Sequence, residues 1–151
     1  MTLNQVLRNH LFTRGLGGTQ IATLASMASE VVFAENQVVM LDREQSRAFY
    51  LVLTGSVSVE LHTPSYVVSV QALCAGEAFG WSALLEGHDT LFQVRAREHT
   101  TALRLDGEEL RAACHADPLL GKEILQRALT VAAGRVQATE IRFAEMCGIR
   151  A

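Results

Sequence analysis

The chain has 151 residues, of which 49% are hydrophobic and 19% are charged, and its formal net charge is −3. This composition excludes a disordered chain and predicts one globular domain that buries its own core, while the acidic balance argues against a surface that neutralises nucleic-acid phosphates. The amino end lacks the basic residues and the apolar run of a secretory signal, and no apolar run reaches the ~18 residues of a membrane span. We therefore expect no membrane partner, and the acidic balance leads us to expect no nucleic-acid partner.

Two short helices are predicted at the amino end, over Leu3–Phe12 and Thr19–Ala28, because the breaker RGLGG separates two apolar stretches. From Val31 the pattern changes to β-strands. Short runs rich in valine and aromatic residues follow one another at the spacing of a β-sandwich or barrel. These runs are VVF, QVVML, FYLVL, SVSVEL, YVVSVQAL, LFQVRARE and TTALRLD.

Two details of the strand pattern give specific expectations. In SVSVEL, which starts at Ser56, apolar residues alternate with serines and a glutamate, which predicts one buried face and one solvent-exposed polar face. Between FYLVL and SVSVEL stands Thr54-Gly55. A glycine with positive φ at this point predicts a tight hairpin that joins the two strands.

The segment GEAFGWSALLEGHDT, from Gly76 to Thr90, interrupts the strands and contains the chain's only tryptophan, Trp81. It is too short and too closely bounded by glycines for a core helix, so a one-turn helix is predicted here. After Asp106 the period becomes helical. Asp106 begins a short helix, and Asp117-Pro118 begins a long one that extends to about Met146 and measures about 45 Å.

One face of the long helix carries an apolar heptad pattern. Its members are Leu125, Leu129, Ala132, Val136, Thr139, Phe143 and Met146, at spacings of 4-3-4-3-4-3. This pattern predicts a parallel two-helix seam and therefore a homodimer. A separate stripe is placed to pack on the barrel: Leu120, Ile124, Ala128 and Val131. The alternative is one broad core face on a monomeric helix.

This order of elements resembles the cyclic-nucleotide-binding domain, in particular the sensor half of the catabolite-activator/fumarate-nitrate-reduction regulator superfamily. The resemblance covers about Met27 to Met146, and rests on Gly55 in LVLTGSV, on Gly76 and Gly80 in GEAFG, on VRA at 94–96, and on the tail from LRLD to VQATEI. It implies a mainly β fold, a double-stranded β-helix or jelly roll. Helices would occupy residues 1–30 and 107–147, and the roll residues 31–106, with a phosphate-binding cassette over 76–91.

In that family the cassette holds a cyclic nucleotide. The resemblance implies a glutamate after the second glycine for the ribose and an Arg-Ser/Thr pair for the phosphate. Here Trp81 follows Gly80 in place of the glutamate, and Thr90 and Leu91 stand in place of the Arg-Ser/Thr pair. Thr139 matches the position on the long helix where the family contacts the base. Tight binding of cyclic AMP or cyclic GMP is therefore not expected, and no cofactor is implied.

Several residues of the cassette have two interpretations. Trp81 is either a plug in the nucleotide's place or a stacking wall for a flatter or less charged ligand. The amides that begin the one-turn helix either hold an anion or simply begin a helix. Arg95 is either a surface ion-paired residue or a replacement clamp. The candidate ligand pocket comprises Gly80, Trp81, Ser82, Ala83, Thr90, Leu91 and Thr139.

Other chemistry finds little support in the sequence. Haem-sensing members of the family carry a cysteine and a histidine in the cassette, and the matching positions here hold Gly80 and Ser82. Iron–sulfur members need a cluster of amino-terminal cysteines, and no cysteine precedes Cys74. Three scattered cysteines without a CxxC pair are expected to be buried small hydrophobic residues in a reducing cytoplasm. The five histidines show no HxH or HxxxH spacing, and no catalytic arrangement can be argued, so we expect neither a metal site nor an enzyme.

Two functions from different classes remain open. One is a regulatory module in which a small ligand changes the dimer helices and thereby an unidentified protein partner. The other is a ligand-free scaffold that oligomerises. The chain ends at Ala151, before the helix-turn-helix of the family's transcription factors, so we expect either a stand-alone domain or the sensor half of a truncated transcription regulator. A pocket above ~300 Å³ would favour sensing.

Overall fold

The computed structural model describes residues 1–148. Helices α1 (Leu3–Asn9) and α2 (Gly18–Met27) come first, and helices α3 (Gly107–Ala116) and α4 (Pro118–Met146) come last. Between them lie strands β1 (Ala28–Phe33), β2 (Val38–Met40), β3 (Ala48–Thr54), β4 (Ser56–His62), β5 (Val67–Cys74), β6 (Ala78–Phe79), β7 (Phe92–Ala96) and β8 (Thr100–Asp106). A one-turn 3-10 helix, Trp81–Leu84, separates β6 from β7.

The strands of residues 1–148 form two four-stranded antiparallel sheets, in the orders β1-β8-β3-β6 and β2-β7-β4-β5. Their facing sides share an apolar core that is built mainly from valines, with one leucine and one phenylalanine: Val52, Val57, Val59, Leu73, Phe79 and Val94. β-branched and aromatic side chains suit this half-buried pleated surface. The expected mainly β jelly roll with flanking helices is thus confirmed.

The hairpin expected at Thr54-Gly55 was wrong. Strands β3 and β4 belong to different sheets, so the chain crosses here from one layer to the other. The glycine itself is required, because its φ is 83° and a Cβ would lie 2.5 Å from the carbonyl oxygen of His99. A glycine with positive φ marks a sharp change of direction, but it does not specify which strands pair.

The exposed polar face expected for β4 was also wrong. Ser56 and Ser58 are buried, because β4 lies inside its sheet between β7 and β5. Their hydroxyls are satisfied across strands: Ser58 Oγ lies 3.0 Å from Ser69 Oγ, and Ser56 Oγ donates to Glu98 Oε2 at 2.9 Å. Of the cysteines expected to be buried, Cys74 and Cys147 are exposed.

The carboxy-terminal helices begin and end where the local signals place them. Asp106 caps α3 by accepting from the Glu109 N–H at 3.1 Å, and Asp117 caps α4 by accepting from two backbone N–H groups, with Pro118 at the first helical position. Helix α4 ends at Met146, as expected. No helix within residues 1–148 is long and apolar enough to cross a membrane.

A buried histidine attaches the amino-terminal helices to the roll. The Nδ1 atom of His10 accepts from the Phe12 N–H at 3.1 Å, so Nε2 carries the ring proton and donates to the Val52 carbonyl at 2.9 Å. Burial lowers the pKa of His10, and the bond to the Val52 carbonyl only partly opposes that effect. His10 is therefore neutral in the native fold and uses both ring nitrogens.

Candidate functional site

The cassette keeps the backbone shape that its glycines predict. Gly76 and Gly80 have φ values of 91° and 89°. At Gly80 a Cβ would lie 2.5 Å from the Ala48 carbonyl oxygen, so only glycine fits the turn into the 3-10 helix. Inside that helix the Ala83 N–H donates to the Gly80 carbonyl at 3.0 Å. This amide is therefore already engaged within the cassette.

Neighbouring segments hold the cassette in place through its polar atoms. Ser82, which is 2% exposed, accepts from the Ser46 N–H at 3.2 Å. Gln45 donates to the Leu85 carbonyl at 2.6 Å, and Arg111 of α3 donates to the Ala83 carbonyl at 2.6 Å. These bonds give Ser82 and Ala83 structural partners within the fold.

Very little free space remains beside the cassette. A cavity of about 10 Å³ is lined by Met40, Gly80, Trp81, Ser82, Thr90, Phe92, Val94 and Arg135. This is about the least space that can hold one water molecule, and it is far below what a nucleotide occupies. Four of the predicted ligand-site residues thus line one cavity: Gly80, Trp81, Ser82 and Thr90.

The other predicted ligand-site residues lie elsewhere. Ala83 is fully buried, and Leu91 is 58% exposed. Thr139 lies a full turn beyond Arg135 on α4, and its hydroxyl donates to the Arg135 carbonyl at 2.8 Å. None of the three is among the residues that line the cassette cavity.

Trp81 stands where the resemblance expects the ribose-binding glutamate. Its indole is half-buried, lines the small cavity, and lies 5.4 Å from the His88 ring, centre to centre. Because the adjoining cavity is about 10 Å³, the indole has no space beside it for a second flat ring.

Arg135 of α4 reaches the same cavity, and sequence analysis did not identify it. The residue is 7% exposed, its guanidinium lies 5.3 Å from the Phe92 ring centre, and its Nε donates to Gln71 Oε1 at 3.2 Å. It forms no salt bridge with any carboxylate in the described part of the chain. Burial lowers the pKa of Arg135 to about 10, so it remains a cation at neutral pH.

The sequence did contain a signal for Arg135. The apolar stripe Leu120, Ile124, Ala128 and Val131 advances by three or four residues, and the next step of four leads to Arg135. A charged residue in register with a buried stripe is a candidate for a buried functional group. The stripe itself packs as expected, since Leu120, Ile124 and Ala128 are buried.

Arg95 lies on the opposite side of its sheet. It pairs with Glu60 Oε1 at 3.1 Å, and its Nη1 donates to the Asn36 carbonyl at 3.0 Å. The same carboxylate oxygen accepts from Gln93 Nε2 at 2.8 Å. Arg95 is not among the residues that line the cassette cavity.

The heptad face of α4 lies outside the core. Its largest side chains are uncovered, with exposed fractions of 49% for Leu125, 69% for Leu129, 56% for Val136, 68% for Phe143 and 59% for Met146. Ala132 and Thr139 are half-buried. Exposed apolar side chains at a/d spacing form a contiguous row rather than scattered single residues.

Residues 30–117, more than half of the chain, match the family model described as the cyclic nucleotide-binding domain. The chain belongs to this family. No curated protein matches the chain.

Solved structures share the fold at low identity. A putative cyclic nucleotide-binding protein from Geobacter metallireducens GS-15 matches with a TM-score of 0.79 and 20% identity, over 90% of this chain and 99% of that one. A cyclic nucleotide-binding domain from Methylobacillus flagellatus KT matches with a TM-score of 0.76 and 20% identity, over 95% and 81%. The regulatory subunit of a cAMP-independent protein kinase A from Trypanosoma cruzi, bound to guanosine, matches with a TM-score of 0.65 and 23% identity, over 85% of this chain and 48% of that one. This chain thus spans about half the length of the kinase subunit.

Proposed function

We propose that this protein is a homodimeric regulatory domain whose cassette has lost the ability to hold a cyclic nucleotide. The observation that carries the proposal is the cassette cavity of about 10 Å³. Pockets that bind small molecules measure ~300–1,000 Å³. Trp81 and Arg135 both line this cavity, and we infer that they take the space that a nucleotide needs.

The chemistry of the cassette supports the same proposal. By the family pattern, Trp81 replaces the carboxylate for the ribose, and Thr90 and Leu91 replace the cationic and hydroxyl groups for the phosphate. Charge-assisted hydrogen bonds of this kind contribute ~1.5–3 kcal/mol each. Asp89, next to the lost clamp, would also repel a phosphate.

The homodimer is supported by the uncovered heptad face of α4. Two copies that align this face in parallel would bury Leu129, Val136 and Phe143 against their counterparts. The helix has 29 residues, which corresponds to about 43 Å, and after Arg135 none of its residues up to Met146 is buried. A partner helix is the simplest cover for the apolar side chains on this end of α4.

A nucleoside without a phosphate is a second candidate ligand for the cassette. The kinase regulatory subunit from Trypanosoma cruzi shares this fold and is bound to guanosine. A nucleoside would not need the lost phosphate clamp, but it would still have to displace the Trp81 indole. The closed cavity favours a ligand-free cassette over this candidate.

Isothermal titration calorimetry with cyclic AMP, cyclic GMP and guanosine tests the proposal. We expect no measurable binding of the cyclic nucleotides. Sedimentation velocity on the same preparation tests the dimer independently of ligand binding. A dimer that binds neither cyclic nucleotide would support both the dimer and the closed cassette. A monomer, or micromolar binding of either cyclic nucleotide, would contradict the corresponding part.

A further inference from the structure

A second and much larger cavity lies between α4, β5 and the turn after α1. Its volume is about 350 Å³, within the range of small-molecule sites. Its walls are mainly apolar, formed by Leu11, Phe12, Leu73, Ala78 and Val131. We call this cavity the α4 groove. It touches the start of the cassette at residues 76–78 and shares Arg135 with the cassette cavity, but it is a separate space, so binding there does not require the cassette cavity to open.

The charged groups of the α4 groove are unequally paired. Arg127 is engaged by Glu123 Oε2 at 3.3 Å and by the carbonyls of Phe12 and Arg14 at 2.7 and 2.8 Å. Glu77 is exposed, and its Oε2 accepts from the Cys74 N–H at 2.6 Å.

Arg135 is different from these two residues. It lines the groove as well as the cassette cavity, it is 7% exposed, and its side-chain partners are the neutral Gln71 amide and the Phe92 ring. No carboxylate within residues 1–148 forms a salt bridge with it.

A buried cation without a counter-ion opposes folding, and an apolar side chain of the same size would fill the position at lower cost. An arginine at this point is therefore explained best by an anion that pairs with it. The guanidinium presents several N–H donors in one plane, a geometry that suits a carboxylate.

We propose that the α4 groove binds a small amphipathic monoanion. Its carboxylate would pair with Arg135, and its apolar body would lie along Phe12, Leu73 and Val131. A strongly hydrophilic dianion suits the site less well, because the walls are apolar and Glu77 stands at the edge. The ligand class is thus an acid with a chain or ring of modest size, such as a medium-chain fatty acid.

The groove stays accessible when the heptad face of α4 is covered. Gly134 lines the groove and follows Leu125 by nine residues, which at about 100° per residue places it on the opposite side of the helix. A partner helix on the Leu125 face would therefore leave the Gly134 face open. Gly134 also leaves space, because the atom nearest to a Cβ built there is Gln71 Nε2 at 3.9 Å.

Calorimetric titration with decanoate, below its micelle concentration, tests this site, with decan-1-ol as the uncharged match. We expect decanoate to bind and decan-1-ol to bind at least about ten-fold more weakly. Arg135→Met, which keeps the apolar stem, should weaken decanoate binding by a similar factor. Gly134→Leu should abolish binding by filling the groove, whereas Arg142→Met, the same charge change on an exposed part of α4, should leave it unchanged.

Equal affinities for decanoate and decan-1-ol, or full affinity in Arg135→Met, would overturn the proposal. NMR on the unmodified protein gives an answer that depends on no variant. Decanoate should shift the amide signals of Gly134, Gln71 and Leu73. Shifts confined to Leu129 and Phe143 would mean binding to the heptad face, and shifts confined to residues 80–92 would mean binding in the cassette. Either result would overturn the groove site, and only the second would contradict a closed cassette.

Discussion

The guanidinium of Arg135 lies 5.3 Å from the centre of the Phe92 ring. This contact joins the long helix α4 to strand β7 beside the cassette. A desolvated cation over an aromatic face contributes on the order of 2 kcal/mol. In this protein a side chain of α4 itself fills the region beside the cassette. The position of the helix relative to the roll is therefore maintained from within the chain.

Replacing Arg135 with methionine should leave the ligand-free protein as stable as before, or make it more stable. The change removes a buried charge that has no carboxylate partner, at the cost of one hydrogen bond to Gln71 and the cation–π contact with Phe92. Urea unfolding measures the effect, with Arg142→Met as the control for charge on the same helix. A loss of more than ~2 kcal/mol would instead mean that the contacts with Phe92 and Gln71 outweigh the burial cost.

The free energy of unfolding should fall as the pH is lowered below about 6.5, because of His10. Burial lowers the pKa of His10 in the native state, so below the unfolded value the unfolded chain binds the proton first. Stability is then complete above the unfolded pKa and decreases towards acid. Protonation would also break the bond from the Phe12 N–H to Nδ1.

Urea titrations at pH 7.5, 6.5 and 5.5 measure this slope. His10→Gln should lower stability at neutral pH and reduce the slope, whereas His62→Gln, at an exposed position, should preserve it. An unchanged slope in His10→Gln would assign the pH dependence to other groups.

Much of this architecture follows from local signals in the sequence. Asp117-Pro118 and Gly80 each act within one turn of chain, so their consequences could be predicted without the fold. Gly55 marks the crossing between sheets, but pairing is decided by residues far along the chain, and so the hairpin expectation failed. Ser58 is buried for the same reason, since the centre of a sheet is a property of strand order. The apolar stripe of α4 could have indicated that Arg135 is buried, but nothing local in the sequence reveals whether a carboxylate pairs with it.

The proposed dimer depends on the heptad face of α4, and Val136→Asp should disrupt it. The change would place two unpaired charges in the seam, which opposes association strongly. Sedimentation velocity should show a fall from dimer to monomer. Gln137→Asp adds the same charge at an adjacent exposed position outside the heptad pattern and should keep the dimer. A monomeric unmodified protein, or an unchanged mass for Val136→Asp, would remove the seam from consideration.

Two glycines of α4 should respond oppositely to alanine. Gly134→Ala should stabilise the protein by about 0.5–1 kcal/mol, since alanine favours the helix interior. A Cβ there meets no atom closer than 3.9 Å. Gly121→Ala should destabilise it, because its Cβ would lie 2.7 Å from the Cys114 carbonyl oxygen where α3 and α4 meet. Urea unfolding of the two variants compares the same substitution at two positions of one helix. If both variants changed the free energy of unfolding in the same direction, the packing around these glycines would differ from that described.

Cyclic AMP binding should be recoverable if the cassette has lost only its recognition groups and its free space. Trp81→Glu, Thr90→Arg and Leu91→Ser together would remove the indole plug and restore the ribose and phosphate partners that the family pattern places there. Regaining two charged contacts at ~1.5–3 kcal/mol each corresponds to roughly 10²- to 10⁴-fold in affinity. Each single substitution should do little, because one restored contact leaves the other end of the ligand unpaired.

Calorimetry with cyclic AMP decides this on the unmodified protein and the triple variant, with circular dichroism to verify that the roll is intact. The buried Arg135 lines the same cavity as position 81, so its attraction for the new carboxylate should help to seat that carboxylate in place of Trp81. A folded triple variant that still fails to bind would mean that Arg135 and Phe92 keep the cavity closed whatever stands at position 81. Tight binding by the unmodified protein would mean that another residue has assumed the role of the phosphate clamp.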